Sequence, residues 1–356
     1  MTTTAIDQDR LDALMGLVVT DMAAAASTAL VLVGDQLGLY GALDDGGPQT
    51  AAELAARTGL QPRLLREWLS NQAASAYVTY DAATERFSLT PEQAFVLANP
   101  DSPVYIGGLT EVINAMHRGT DKVADGIRTG RGVHWHEHHD GLFTGTERFF
   151  RPGYAANLVP SWIPALDGVE ARLQQGIRVA DVACGHGAST IVLAQAYPAS
   201  TFVGSDSHAA SIDAARKAAS EAGVADRATF DVQSAQGFAG GPFDLVAVFD
   251  SLHDMGDPVG AARRIKDQLA PDGTLLLVEP NAGDRLADNL NPVGRLFYAA
   301  STAICTGNAV AQGGGDDVLG AQAGEARTRA VFEQAGWSSF RRATETPFNA
   351  VYEVRP

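Results

Sequence analysis

The second half of the chain alternates short apolar segments with helical ones, and this pattern limits the fold more than any other feature. Helical stretches such as SIDAARKAASEAG separate the apolar segments, each of which is bounded by turn residues. Seven segments have strand character: IRVADVAC, TFVGSD, RATFDV, FDLVAVFD, TLLLVEP, SSFRRATE and NAVYEVRP. This alternation is typical of a parallel sheet covered by helices on both faces. It predicts an α/β fold with a doubly wound, mostly parallel, seven-stranded sheet.

The first hundred residues instead predict an α-rich winged-helix domain. Thr50 and Glu53 have capping-box spacing, Gly59 is placed to end the same helix, and Pro62 opens the next one. The side chains expected on the buried side of the second helix are Leu64, Leu65, Trp68 and Leu69. The strand-like segments AYVTYD and RFSLT follow, so two short helices precede a small hairpin.

These patterns divide the chain into three parts. A length of 356 residues suits two or three domains. We assign residues 1–105 to a winged-helix-like dimerisation domain, 106–170 to a helical connector and 171–356 to the sheet domain. The apolar segment ALVLVGDQLGLYGAL would pack against a second subunit, so we predict a homodimer.

Charge and cysteine content restrict the partners and the compartment. The formal net charge of −16 argues against a nucleic-acid partner, because binding phosphates requires concentrated Lys and Arg. The second helix of the winged-helix pattern carries only Arg63 and Arg66 beside Glu67. Cys184 and Cys305 are the two cysteines and form no C-x-x-C, which fits a reduced cytoplasmic protein. The N-terminal sequence does not resemble a signal peptide, and we interpret the segment MAAAASTALVLVG as a buried helix too short to span a membrane.

A glycine-rich turn in VADVACGHGAS marks the predicted ligand site. It follows a strand and precedes a helix, a position where Rossmann-like folds bind ligands. Gly185 and Gly187 allow close backbone approach, and Asp206 ends the next strand, where an acid suits the two hydroxyls of a ribose. A dinucleotide fingerprint would need a third glycine, but Thr190 occupies that place.

The form D-x-x-C-G-x-G resembles motif I of the class I S-adenosylmethionine-dependent methyltransferases. With a preceding winged-helix-like domain, the chain resembles dimeric small-molecule O-methyltransferases, in particular an actinobacterial group related to the plant-type enzymes. The likeness covers nearly the whole chain and is carried by FFRPGY, VADVACGHGAS, FDSLHDMGDP and TPFNAVYEVRP. It implies methyl transfer from S-adenosylmethionine to a small-molecule acceptor, with a hydroxyl as the first choice. The alternatives are a transcription regulator with a ligand-sensing larger domain, and an enzyme that binds the cofactor without transferring methyl.

The resemblance also assigns cofactor contacts. Gly185 and Gly187 would line the methionine end, Asp206 would hold the ribose, and Ser207 would lie next to the ribose or adenine. Where such enzymes often carry an Asp and a small residue near the adenine amino group, this chain has Ser234 and Ala235. A further set of aromatic residues would pack near the cofactor or, equally, form ordinary core: Phe249, Phe150 and Tyr154.

The catalytic assignment rests on the same resemblance. His253, in SLHDMGDP, occupies the place of the histidine that takes the proton from the acceptor hydroxyl, and Glu279 occupies the place of the acid that holds this histidine. Histidine can accept a proton near neutral pH. Asp254 is the alternative partner of His253, and a structural role for His253 at the strand end is the alternative to catalysis.

The histidine run HWHEHHD is the remaining conspicuous motif. His134 and His138 are four residues apart, the spacing for a shared metal on a helix, but no second ligand cluster accompanies them. We therefore predict no metal and interpret the run as a border of the acceptor pocket, with Trp135, His136 and His139 as wall residues. The resemblance adds Phe297, Tyr298 and Cys305, from a later segment, as candidate wall residues, with ordinary packing as the equal alternative.

Overall fold

The computed structural model describes residues 6–356. The helices are α1 (Gln8–Gln36), α2 (Leu39–Gly46), α3 (Ala51–Thr58), α4 (Pro62–Ala74), α5 (Pro91–Leu97), α6 (Gly107–Arg118), α7 (Thr120–Thr129), α8 (Gly141–Asn157), α9 (Val169–Gln175), α10 (Ala188–Ala196), α11 (Ala209–Glu221), α12 (Pro258–Gln268), α13 (Pro292–Ala300), α14 (Thr306–Ala311) and α15 (Gly324–Gln334). The strands are β1 (Thr79–Asp81), β2 (Arg86–Ser88), β3 (Arg178–Val182), β4 (Thr201–Asp206), β5 (Ala228–Val232), β6 (Phe243–Phe249), β7 (Leu269–Pro280), β8 (Ser339–Glu345) and β9 (Asn349–Arg355).

The chain folds as two compact units, Met1–Asn114 and Ala115–Pro356. The first unit contains the expected pair of short helices, α3 and α4, followed by the antiparallel hairpin β1–β2. The second unit contains the sheet. The division at residues 105 and 170 stays a prediction.

The helix signals in the first unit are confirmed in detail. The Thr50 hydroxyl accepts a hydrogen bond from the Glu53 amide at 3.2 Å, and the Glu53 carboxylate accepts one from the Thr50 amide at 2.7 Å. Gly59 ends α3 with a φ of +72°, the left-handed conformation that favours glycine. Pro62 opens α4, as expected.

One residue of α4 departs from the prediction. Leu65, Trp68 and Leu69 are buried, but Leu64 is 70% exposed. The buried residues follow i, i+3, i+4 spacing from Leu65, whereas Leu64 is rotated about 100° from Leu65 around the helix and faces outward.

Helix α1 is longer and far more exposed than expected. The apolar segment interpreted as a short buried helix forms only the second half of this 29-residue helix. An 18-residue window of α1 has a mean hydropathy of 1.8 and is 17% buried, so by length and composition alone the helix could cross a membrane. Exposed apolar side chains occupy its first half: Leu14, Met15, Leu17, Val18, Val19 and Met22. The expectation of a short buried helix at MAAAASTALVLVG is wrong for much of that segment, in which Met22 is 62% and Val33 39% exposed and the buried residues are Ser27, Val31, Leu32 and Gly34.

The sheet of the second unit has all seven expected strands, in the order β5-β4-β3-β6-β7-β9-β8. The first five in that order are parallel, while β9 is antiparallel to both β7 and β8. Apolar clusters lie on both faces, with Leu193 of α10 and Ile212 of α11 in one and Ile265 of α12 and Val331 of α15 in the other. The predicted doubly wound α/β fold is confirmed.

The strand order identifies where a ligand would bind. The chain passes from β3 through β4 to β5 on one side, then returns to place β6 and β7 on the other side of β3. The crossovers therefore diverge between β3 and β6, which opens a crevice at the carboxyl ends of these strands.

Candidate active site

A cavity of about 270 Å³ lies at this switch point. The carboxyl ends of β3, β4 and β6 and the turns after them supply part of its wall through Gly185, Asp206 and Asp250, and α8 supplies Tyr154. Its size is slightly below the usual range for small-molecule sites, about 300–1,000 Å³. The cavity therefore lies where doubly wound α/β folds bind their ligands.

Gly185 and Asp206 are joined directly. The amide of Gly185 donates a hydrogen bond to Asp206 Oδ2 at 2.9 Å, and the amide of His208 donates one to Asp206 Oδ1 at 2.8 Å. Gly185 has a φ of +53°, and a Cβ there would meet no atom within 4 Å. Burial raises the pKa of the Asp206 carboxyl, although these two amides oppose the shift. The backbone thus holds an acid at the end of β4 against the glycine turn.

Gly187 has a different role from Gly185. It does not contribute to the cavity wall, and its φ is +76°. A Cβ at this position would lie 2.6 Å from the ring of Phe230 and 3.1 Å from Ala215. Gly187 therefore allows α10 to begin close to the sheet.

The two glycines give a matched stability test. We expect Gly187→Ala to destabilise the fold more than Gly185→Ala, because both carry the left-handed strain of about 1–2 kcal/mol and only Gly187→Ala adds a collision with Phe230. Urea unfolding of both variants measures the difference. Equal free energies of unfolding would contradict the packing role of Gly187.

The structure brings most of the predicted cofactor residues together. One cavity is lined by Tyr154, Gly185, Asp206, Ser207, Ser234, Ala235 and Phe249. Among the predicted cofactor residues, Gly187 alone lies outside it. Ser234 also accepts a hydrogen bond from the amide of Gly237 at 3.1 Å, so its hydroxyl stabilises its own turn.

Thr190, which replaces the third glycine of a dinucleotide fingerprint, is part of a buried network. Its hydroxyl and that of Ser189 donate to Asp181 Oδ2 at 2.7 Å and 2.6 Å. Burial raises the pKa of Asp181 to about 6, against the opposing effect of the two hydroxyls. Thr190 thus stabilises the acid that begins the glycine motif.

The aromatic residues serve both as core and as cavity wall. Tyr154 is 7% exposed, and its ring lies 5.3 Å from that of Phe249 and stacks on Phe150 at 5.8 Å. Phe150 also reaches the cavity. A position beside a cofactor and a role in the ordinary core, the two alternatives that the sequence left open, are therefore compatible for these residues.

His253 is buried behind the cavity wall. It lies in a short 3₁₀ turn after β6, and its Nδ1 is 2.5 Å from Glu279 Oε2 on β7. Glu279 Oε1 accepts a hydrogen bond from the amide of Leu252, which fixes this carboxylate. His253 and Glu279 do not line the cavity, whereas the adjacent Asp254 does. His253 Nε2 lies 3.3 Å from Asp254 Oδ1.

The surrounding acids decide the charge of His253. Burial opposes a charged imidazole, but Glu279 and Asp254 outweigh it and hold the pKa of His253 well above its usual range. Both residues that the sequence offered as the partner of His253 therefore lie beside it, Glu279 at Nδ1 and Asp254 at Nε2.

Asp250 and His186 are among the cavity residues that escaped the sequence reasoning. Asp250 directly follows Phe249 and accepts a hydrogen bond from Asn349 at 2.9 Å. Burial, reinforced by Glu279, raises the pKa of Asp250 to about 8. His186 lies between the two motif glycines and also lines the cavity. The position of Asp250 at the end of a buried strand was the available signal.

The histidine run contributes to the cavity rim. A short 3₁₀ turn, Trp135–Glu137, places His134, Trp135 and His136 in the cavity wall. His139 instead lies 3.0 Å from Arg118 and accepts a hydrogen bond from Gly141. Within residues 6–356, the run supplies no set of three close metal ligands.

Phe297, Tyr298 and Cys305 lie outside the cavity wall, to which the later segment contributes Asn308 and Gln312.

Family comparisons agree with this geometry. Residues 173–336 match the family described as "Methyltransferase domain". Residues 25–99 match the family described as "Rv2258c-like winged HTH domain". The sequence matches no curated protein.

Solved structures share the fold over nearly the whole chain. A putative O-methyltransferase from Nostoc punctiforme is 21% identical, with 96% of this chain and 98% of that chain covered and a TM-score of 0.72. The mitomycin 7-O-methyltransferase MmcR is 20% identical, with 98% of this chain and 100% of that chain covered and a TM-score of 0.71. Human N-acetylserotonin methyltransferase is 17% identical, with 100% of this chain and 99% of that chain covered and a TM-score of 0.67. The chain therefore carries a methyltransferase domain and, before it, a winged helix-turn-helix domain.

Proposed function

We propose that this protein transfers a methyl group from S-adenosylmethionine to a hydroxyl of a small-molecule acceptor. The observation that carries the proposal is the Gly185–Asp206 pair in a cavity at the carboxyl ends of β3, β4 and β6. The solved relatives include a complex of human N-acetylserotonin methyltransferase with S-adenosylmethionine and the product-bound PigF.

The residues of the cavity fit the parts of this cofactor. Asp206, held by two amides, has a carboxylate suited to the ribose hydroxyls. Gly185 leaves room for close approach of the methionine end. Ser234 and Ala235 border the region where an adenine would lie, and Tyr154 would close the methionine side from α8.

The chemistry requires alignment and removal of one proton. When bound, the sulfonium of the cofactor supplies an electrophilic methyl group. The acceptor oxygen forms the new bond to this methyl, and its proton has to leave. We assign proton removal to His253, with Glu279 as the residue that fixes its orientation through Nδ1. Asp254 lines the cavity beside Nε2 and gives the proton a short route to His253.

The proposal predicts a specific pH dependence. A base works in its unprotonated form, and the pKa of His253 lies above its ordinary value of 6.5 because Glu279 and Asp254 outweigh burial. We therefore expect kcat/KM to rise with pH through a midpoint above 6.5. Glu279→Gln removes one of the negative partners and should move this midpoint to lower pH.

Asp250 is the necessary control for that profile, because its pKa of about 8 lies in the same range. Besides Asp250, the groups that face His253 are Glu279, Asp254 and Cys305. Asp250→Asn should leave the rising limb in place. A limb that disappears in Asp250→Asn but persists in His253→Ala would assign it to Asp250 instead.

Transfer itself can be tested with methyl-labelled S-adenosylmethionine and a metabolite extract. We expect acceptor-dependent release of S-adenosylhomocysteine and a labelled O-methyl product. Tight cofactor binding without any labelled product would favour the alternative of an enzyme that binds the cofactor without methylating. A labelled N-, S- or C-methyl product would contradict the hydroxyl assignment only.

We also propose that α1 joins two copies of this chain. Between Asp12 and Asp35 the only charged residue is Asp21. Leu17 and Met22 are 57% and 62% exposed. Contiguous apolar surface of this kind marks interaction sites, and a second copy would cover it symmetrically.

Light scattering tests the dimer. The native chain should have twice the 37.3 kDa chain mass, and the double variant Leu17→Glu, Met22→Glu should shift towards the monomer. Gln8→Glu adds a charge at the polar start of α1 and should leave the dimer intact. A native monomer that binds lipid vesicles through α1 would instead indicate a membrane role for this helix.

We propose no nucleic-acid partner and a cytoplasmic location. In α4, Arg63 pairs with Glu67 at 2.5 Å, and the formal net charge of −16 disfavours binding to phosphates. A DNA mobility-shift titration at several salt concentrations should show no specific binding. A sequence-specific, salt-dependent shift would support the regulator alternative.

A further inference from the structure

Asn308 of α14 joins two parts of the cavity wall that are far apart in sequence. Its Oδ1 accepts a hydrogen bond from the amide of Trp135 at 3.0 Å, and its Nδ2 donates one to the carbonyl oxygen of Asp254 at 3.1 Å. Trp135 belongs to the cavity rim, and Asp254 ends the 3₁₀ turn that carries His253. We propose that Asn308 is a positioning residue that fixes the rim relative to this turn, an inference that rests on the methyl-transfer proposal.

The two partners of Asn308 require an amide side chain. A backbone N–H can only donate and a backbone carbonyl can only accept, so these partners fix the orientation of the Asn308 amide. Asn308 is 6% exposed, and both of its polar groups are hydrogen-bonded. A leucine of similar size would remove both bonds, and burying a polar group without a partner is costly.

The chain that leads to the rim is docked closely on the same helix. The amide of Val133 donates a hydrogen bond to the carbonyl oxygen of Gly307 at 3.0 Å. A Cβ at Gly132 would lie 2.2 Å from that oxygen, so this close approach requires glycine. Val133 and Trp135 thus bind to successive residues of α14, Gly307 and Asn308, and the rim is attached to the helix at two points.

The turn that carries His253 is also attached to α14 at two points. Gln312, four residues after Asn308, donates a hydrogen bond to the same Asp254 carbonyl at 3.1 Å and accepts one from the amide of Gly256 at 3.2 Å. Both of these bonds hold the turn and the residues after it, whereas Asn308 divides its bonds between the turn and the rim. Variants of the two residues therefore separate the coupling from simple support of the turn.

The position of this turn matters for the removal of the acceptor proton. His253 Nε2 lies 3.3 Å from Asp254 Oδ1, and Asp254 lines the cavity. Misplacement of a reacting group by about 1 Å can lower a rate about 100-fold. A side chain that ties the rim to the turn keeps the acceptor wall and the route of the proton in one arrangement.

Asn308→Leu tests the coupling, with Asn289→Leu as the matched control. Asn289 is also buried and bonds to backbone in the same way, accepting from the amide of Gly283 at 2.8 Å and donating to its carbonyl at 2.9 Å. It lies outside the cavity wall. Both variants should lose stability, so this loss does not distinguish them, and circular dichroism identifies conditions under which both are folded.

Two measurements on the full chain need no acceptor. Acrylamide quenching of tryptophan fluorescence follows the rim, because Trp135 is partly exposed. The other three tryptophans are buried: Trp68, Trp162 and Trp337. NMR titration of isotope-labelled histidine side chains follows the turn, and the signal of His253 is the one that is missing from His253→Ala.

We expect Asn308→Leu to increase the quenching of Trp135, because the rim loses its bond to α14. The titration of His253 should move to lower pH, since Asp254 raises the pKa of this histidine and a loosened turn weakens that effect. The other titratable groups that face His253 are unchanged in the variant: Glu279, Asp250 and Cys305.

The two comparison variants should behave differently from Asn308→Leu. Gln312→Leu should shift the titration of His253 without changing the quenching of Trp135, because Gln312 bonds to the turn. Asn289→Leu should change neither measurement. Equal quenching in Asn308→Leu and Asn289→Leu, or an unchanged titration of His253 in Asn308→Leu, would overturn the proposal.

Labelled-product formation gives the effect on transfer. With saturating methyl-labelled S-adenosylmethionine and the metabolite extract, Asn308→Leu should form labelled product about 10–100-fold more slowly than the native chain. Its cofactor affinity should change little, because the Gly185–Asp206 pair is untouched. Native chain that forms no labelled product would contradict the proposed function, and the fluorescence and NMR results would still decide the role of Asn308.

Hydrogen exchange of the native protein decides the question even if Asn308→Leu does not fold. The Trp135 amide opens a short 3₁₀ turn and bonds to a side chain, Asn308, so its protection depends on that bond. We expect this amide to exchange slowly. Exchange as fast as that of an exposed amide would overturn the proposal.

Discussion

His253→Ala is expected to lower kcat by roughly 10²–10⁴-fold, the usual contribution of a general base. The variant removes the imidazole that Glu279 orients through Nδ1 and leaves the glycine turn and Asp206 untouched. The affinity for S-adenosylmethionine, measured by calorimetry, should therefore change little. Single-turnover kinetics with the unmethylated acceptor and methyl-labelled S-adenosylmethionine would measure the chemical step directly.

His117→Ala is a matched control, because His117 is exposed near the end of α6. It should keep near-native turnover. Circular dichroism must show that His253→Ala is folded, since the change leaves Glu279 buried with the Leu252 amide but without its histidine partner. A folded His253→Ala protein with normal cofactor affinity and turnover within a few-fold of native would remove His253 from the mechanism.

Asp206→Ala is expected to weaken S-adenosylmethionine binding by roughly 10–100-fold. Hydrogen bonds to a charged group contribute about 1.5–3 kcal/mol, and each 1.4 kcal/mol corresponds to a factor of ten in affinity. The change would remove the carboxylate that faces the cavity and also free the amides of Gly185 and His208. Calorimetric titration measures the loss.

Asp213→Ala controls for the general loss of an acid. Asp213 lies on α11 with its side chain 75% exposed and paired with Arg216. Its removal should leave the cofactor affinity unchanged. If Asp206→Ala bound the cofactor as tightly as Asp213→Ala, ribose recognition by Asp206 would be wrong.

The sequence predicted the sheet domain well because its central strands are buried on both faces. In β6, Leu245 and Ala247 enter one apolar cluster while Val246 and Val248 enter the other. A strand that is buried on both faces has a continuous apolar sequence bounded by turn residues, so the pattern indicates its burial directly. The capping box at Thr50 is equally local, so short-range chemistry was enough to find it.

From the sequence, only the part of the candidate site that lies at the ends of strands could be predicted. Gly185 and Asp206 follow successive strands of a parallel sheet, so their proximity follows from the topology. Asp250 was missed because its importance depends on burial beside Glu279 and on Asn349 from β9, a strand 99 residues later. Leu64 was misassigned because periodicity gives the width of a buried stripe only approximately.

By itself, the sequence determined the sheet, the winged-helix elements, the glycine turn and the acid that meets it, because all of these depend on local pattern and strand order. Only the tertiary structure decided that His253 lies behind the cavity wall, with Glu279 on one nitrogen and Asp254 and Cys305 near the other. It also decided that HWHEHHD contributes only part of the cavity rim. The physical reason is that burial and charge at a side chain depend on segments far apart in sequence, such as β7 and the π-helical turn that ends at Cys305.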